Sequence, residues 1–164
     1  MKIKSIHMAF AIILFIFGSI AATSALGLWQ TTNDKTPAVF KEGDYKGEYN
    51  PADIRGSYTF QEISGTFNIP LDDLGKAFNL KDSSTYAGFK CKDLEALYGE
   101  LSTEGKEIGT DSVRYFVSLY IGLPFTPGED TCLPDTAIHI LKSKASIPEE
   151  QWKDIEKHSV PLPE

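Results

Sequence analysis

The sequence predicts a mainly α fold: an N-terminal membrane helix, then a small soluble domain of about six short helices that includes two helix-turn-helix hairpins. Three observations carry this. No charged residue occurs from Met8 to Ala22. The stretch 59–80, TFQEISGTFNIPLDDLGKAFNL, holds the cap, stripe and turn signals of two consecutive helices. Residues 113–121 place Val113, Phe116, Val117, Tyr120 and Ile121 on one wide apolar face.

Residues 1–29 begin Met-Lys-Ile-Lys and stay uncharged up to Asn33. They read as a signal-anchor of about 20 residues with Trp29 at the far interface. The alternative is a cleaved signal peptide with a small-residue site at Thr23-Ser24-Ala25. Under either reading, with Lys2 and Lys4 held inside, the rest lies outside the cytoplasm. The expected address is the cell membrane, crossed once through residues 6–29, with an extracytoplasmic C-terminal domain.

Residues 30–58 are punctuated by Gly43, Gly47, Pro51 and Gly56 and read as an extended arm or linker. Tyr45, Tyr49 and Tyr58 suit an arm that lays its rings on a helical body. A calcium loop from Asp44, Glu48 and Asp53 lacks the alternating spacing and closing glutamate that such a loop uses.

The helical extracytoplasmic domain spans 59–164. Thr59 and Glu62 have capping-box spacing, and Phe60, Ile63 and Phe67 form the stripe of its first helix. Asn68 suits the left-handed end, Pro70 the next first turn, and Asp72 with Asp73 its positive end. Leu71, Leu74 and Phe78 make the second stripe. Leu94, Leu97, Tyr98 and Leu101 mark a third helix. The 113–121 helix is capped by Thr110 or Ser112 and stopped by Gly122 and Pro124. The C-terminal part repeats the hairpin design: Ala137, Ile138 and Leu141, then Ile147-Pro148, then Trp152 and Ile155. A shared way of turning explains the likeness as well as a duplication does.

Charge narrows the function. With Lys2 and Lys4 set aside, 14 of the 16 basic residues face 23 acidic ones, a formal net of −9. Phosphate backbones are bound by clustered Lys and Arg, so no nucleic-acid partner is expected. There is no GxSxG, Walker loop, HExxH, CxxC or CxxCH. His139 and His158 are 19 residues apart on different expected helices, and the acidic pairs already serve helix dipoles. The sequence therefore points to no catalytic residue, metal ligand or cofactor. Cys91 and Cys132 either form a disulfide, worth roughly 4 kcal/mol through loop entropy, or stay as two buried thiols.

Two resemblances add to this. GSYTFQEISGTFNIPLDDLGKAFNL followed by TYAGFKCK, within residues 56–92, resembles the helical hairpin and closing strand of a LysM module. That resemblance implies a cell-wall glycan held near residues 56–59 and 68–71. GEYNPADIRGSYTFQEIS and EIGTDSVRYFVSLYIGLPF are similar to an uncharacterised helical domain. That domain is found appended to membrane-bound iron–sulfur or cytochrome b-type electron-transfer proteins, which implies an accessory role. The expected function is a membrane-anchored, non-catalytic extracytoplasmic module that binds or supports another protein. A glycan-binding module is the runner-up and an enzyme a distant third. Tyr58, Phe116, Tyr120, Leu123 and Phe125 are the expected interaction surface.

Overall fold

The computed structural model describes residues 5–25 and 35–162. They divide between two units, Met1–Asp34 and Lys35–Glu164, and the structure is mainly helical.

In the first unit α1 runs from Ser5 to Ala25. Its large apolar side chains point outward, with Phe10 70% and Leu14 76% exposed. Toward its end Ser19 and Thr23 return their hydroxyls to the carbonyls of Ile16 and Ser19. Among the described residues no helix is long and apolar enough to cross a membrane. The expected membrane helix is therefore not found as a span. Gly18, Ser19 and Thr23 thin the apolar tract, and the residues 26–29 that were to extend it lie outside the described ones.

The second unit opens with a hairpin rather than a plain spacer. Val39 pairs antiparallel with Tyr49, and Phe40 N–H donates to the Glu48 carbonyl at 2.9 Å. Gly43 and Gly47, at φ of +81° and +95°, make the reversal that a Cβ would strain. Three contacts hold its base. Asp53 accepts from Ala38 N–H at 2.8 Å, Lys35 reaches Glu62 at 2.9 Å, and Tyr49 meets Phe67 edge-on at 6.3 Å. Asp53 is thus part of that clasp.

Helix α2 (Phe60–Phe67) starts as the sequence predicts. Thr59 accepts from Glu62 N–H, Glu62 accepts from Thr59 N–H at 2.8 Å, and Asn68 closes the helix at φ +54°. Pro70 stands as the N-cap of α3 (Leu71–Ala77), one position before the first turn. Thr59 also bridges Lys90 antiparallel, so the start of the hairpin is tied to the segment that follows it. α4 (Asp93–Leu97) has only five residues, which leaves Leu97 52% exposed instead of in the expected stripe. α5 (Thr110–Ile121) is capped from Gly109, not Thr110 or Ser112: Ser112 Oγ accepts Gly109 N–H at 3.1 Å. Gly122, at φ +74°, ends it.

Val113, Phe116 and Val117 on α5 are fully buried. They sit in one core with Phe60, Ile63, Leu74 and Phe78 from the first hairpin. Arg114 ties α5 to the short helical turn Pro51–Asp53 by donating to the Ile54 carbonyl at 2.8 Å. β1 (Leu133–Pro134) leads into α6 (Asp135–Lys144), which lies against α3 and α5. Thr136 donates to the Ala77 carbonyl at 2.6 Å at the end of α3. α7 (Glu149–Lys157) follows, and β2 (Ser159–Val160) pairs parallel with β1. Helices α3, α6 and α7 all start from a proline N-cap in extended conformation. The likeness of the two halves is therefore a shared way of entering a helix. Their packing differs, because α2 lies on α3 while α6 turns to α3 and α5.

Gly75 marks the tightest contact. A Cβ there would run into the ring of Tyr86, whose hydroxyl is fixed by its bond to the Leu80 carbonyl at 3.0 Å. Gly75→Ala is expected to lose about 1–3 kcal/mol in urea unfolding through overpacking. Gly65, exposed on α2 with open space around it, gains up to about 1 kcal/mol as Ala. Equal midpoints for the two variants would contradict this packing.

Candidate functional site

The expected interaction surface divides in two. Tyr58 (1% exposed) and Phe116 (0%) are interior. Tyr58's carbonyl takes the Cys91 N–H at 3.0 Å, and Phe116 stacks between Phe78 and Tyr120. Tyr120 is half-buried and donates to Asp73 at 2.7 Å, bolting α5 to α3. Burial and that carboxylate push its hydroxyl up to about 12. Those three residues are structural. Leu123 and Phe125, half-buried, line a cleft.

That cleft, about 530 Å³, is built where chain segments leave helices. Its size is that of a small-molecule site. One wall is the end of α5, with Tyr115, Ser118 and Leu119, and the loop 122–127 that Gly122, Pro124 and Pro127 keep out of helix. The facing wall is Ser146, Ile147 and Pro148 with Gln151, Asp154 and Ile155 of α7. Tyr45, near the tip of the arm hairpin, completes it.

Tyr115 lines the cleft. It is 5% exposed, meets Phe125 at 6.4 Å, and takes the ring of His158 edge-on at 5.7 Å. His158 is itself fixed by a 2.6 Å bond between Nδ1 and the Thr131 carbonyl. A carbonyl only accepts, so Nδ1 carries the proton. Burial, with the charge of Asp154 nearby, pushes the Tyr115 hydroxyl up to about 12, and it stays a donor across ordinary pH. Asp154 is held below the usual carboxylate range, first by its bond to Lys157 at 3.0 Å. It is an ionised acceptor.

Among the described residues the side chains of Tyr115, Thr126, Ser146 and Gln151 make no hydrogen bond within the protein. The lining thus supplies aromatic faces, neutral donors and acceptors, one carboxylate, and neither Lys nor Arg. Such a set can hold a polyhydroxy or ring-bearing ligand. Among the described residues no group of His, Cys, Asp and Glu is placed to hold a metal ion.

Cys91 and Cys132 are free thiols, both buried, in place of the disulfide alternative. Each is committed to its own segment. Cys91 Sγ donates to the Tyr58 carbonyl at 3.3 Å, while Cys132 N–H donates to the Glu107 carbonyl at 2.8 Å. Burial pushes the Cys91 thiol up to about 12, and burial raises Cys132 as well.

Comparisons with known proteins come next to this geometry. No family model matches the chain, and no solved structure matches it. It is similar to ribitol-5-phosphate cytidylyltransferases of Streptococcus pneumoniae, those of strains CGSP14, Hungary19A-6 and serotype 19F strain G54 among them. Each is 35% identical over 77 residues, which are 47% of this chain and 33% of the relative. The chain spans about a third of the length of these relatives. They are enzymes. This likeness overturns the expectation of a non-catalytic, membrane-anchored extracytoplasmic module and the expectation that the chain is no enzyme.

The thiols are directly checkable. In the folded protein neither is expected to react with a thiol reagent at mildly alkaline pH, since the reactive thiolate is suppressed by burial. In concentrated guanidinium without reductant both react, two per chain. Recovery of none after unfolding would restore the disulfide.

Proposed function

We propose that the Lys35–Glu164 unit is a ligand-binding domain serving a nucleotidyltransferase-type activity, with the Tyr115 cleft holding a substrate of that activity. The observation that carries this reading is the lining of the cleft, where, among the described residues, the side chains of Tyr115, Thr126, Ser146 and Gln151 make no hydrogen bond within the protein and stay open to solvent beside aromatic rings. Such a wall of open neutral polar groups suits a polar ligand. The partial likeness to ribitol-5-phosphate cytidylyltransferases supplies the class: a cytidine nucleotide or a pentitol phosphate.

Titration of the full chain with each compound is expected to show saturable binding. Removing one neutral hydrogen bond costs about 0.5–1.5 kcal/mol, so Tyr115→Phe and Gln151→Ala each weaken binding by about 3–10-fold. Binding of neither compound, or binding indifferent to both substitutions, would remove the cleft from the account.

We also propose that α1 meets lipid. Among its described side chains Phe10, Ile13, Leu14, Phe15 and Phe17 are large, apolar and exposed. Apolar surface exposed all round a helix is stable in hydrocarbon and costly in water. The full chain is expected to float with neutral phospholipid vesicles in a density gradient, and a chain lacking residues 1–29 to stay below. Equal sedimentation of both would contradict lipid contact.

A further inference from the structure

Resting on that reading of the cleft, we propose that it recognises the uncharged polyhydroxy part of its ligand and gives the phosphate no seat. A sugar alcohol or nucleoside without phosphate then binds better than its own phosphate ester.

The argument starts from what anion recognition needs: Arg or Lys side chains, or the free amides and positive end of a helix. Among the described residues no Lys or Arg lines the cleft. Lys157 is committed to Asp154 at 3.0 Å and is not part of the wall. The start of α7 borders the cleft but is unsuited to anions. Its N-cap is Pro148, which has no amide proton, and Glu149 and Glu150 fill its first turn. The Gln151 backbone N–H is taken by the Pro148 carbonyl at 3.0 Å. Of the Asp154–Lys157 pair it is the carboxylate that lines the wall, and like charge there repels phosphate.

What remains fits hydroxyl groups and C–H faces. The Tyr115 hydroxyl donates, the Gln151 amide donates and accepts, the Asp154 carboxylate accepts, and the Thr126 and Ser146 hydroxyls do both. Tyr45 and Phe125 offer ring faces. A carboxylate beside a neutral amide and an aromatic platform can take two adjacent hydroxyls of one polyol. It cannot take a phosphate dianion at the same place without a cation.

Calorimetric titration of the full chain separates the outcomes, using a five-carbon sugar alcohol against its 5-phosphate, and cytidine against its monophosphate. In low salt the phosphate ester of each pair is expected to bind about tenfold more weakly. The gap should narrow as salt screens the repulsion. Asp154→Asn, an exposed position whose change leaves the fold intact, should close the gap from the ester's side. Tighter binding of the esters, weakening with salt, would overturn this inference and leave the cleft as the binding site. No binding of any of the four compounds would overturn the cleft reading with it.

Discussion

The column of rings from Phe60 through Phe78 to Phe116 is the contact on which the Lys35–Glu164 unit depends. Neighbouring centroids lie 5.7 and 5.8 Å apart, and all three rings are shielded from solvent. Tilted and edge-on pairs at this separation add about 0.5–1.5 kcal/mol beyond the area they bury. Each ring belongs to a different element: α2, the residue that ends α3, and α5. Phe89 continues the column on the other side of Phe60 at 5.3 Å, just before the Thr59–Lys90 bridge. Three helices are thereby set by one line of side chains, and the polar clamps follow from it. Tyr98 reaches the Phe78 carbonyl at 2.7 Å, Tyr120 reaches Asp73, and Thr136 reaches the Ala77 carbonyl.

Fixing α5 in this way decides where the cleft can be. Its inner face is used by Phe116 and its neighbours, so Tyr115, Ser118 and Leu119 fall on the side turned toward α7. Two proline-bearing segments, 122–127 and 145–148, leave α5 and enter α7 without a helix of their own. They stand apart because neither can close onto the other as a regular ladder. The parallel β1–β2 pair then returns the chain end to the core, and His158 at that point props Tyr115. The core is rigid and apolar while the cleft keeps its polar groups open. That division suits a binding function.

The first hairpin was legible because its signals are local. Thr59 with Glu62, Asn68, and Pro70 each act within one turn, and each does so in the structure. The face of α5 was legible as apolar but not as covered. A stripe reveals hydrophobicity, whereas its covering by Phe78 and by α6 depends on tertiary contacts that no local pattern encodes. The pattern alone therefore places Phe116 and Tyr58 on a surface, and the structure buries both. Cys91 and Cys132 suited a bridge by their even number alone, since sequence separation carries no information on where two Sγ atoms point. The cleft was illegible for a related reason. Gln151, Thr126 and Ser146 each look like ordinary solvated residues, and Tyr45 comes from a hairpin seventy residues away in the chain from Tyr115. The one usable hint was the pair of prolines in LPFTPGEDTC followed later by Ile147-Pro148, which forbids regular structure on both walls.

The central claim is that ligand enters between α5 and α7. Amide chemical-shift mapping of the full chain in detergent, titrated with a neutral five-carbon sugar alcohol, tests it most directly. The account predicts that the largest shifts fall at residues 115–127 and 146–155, with Tyr45 moving in step. Shifts centred on residues 56–71, or spread evenly with no saturation, would contradict it.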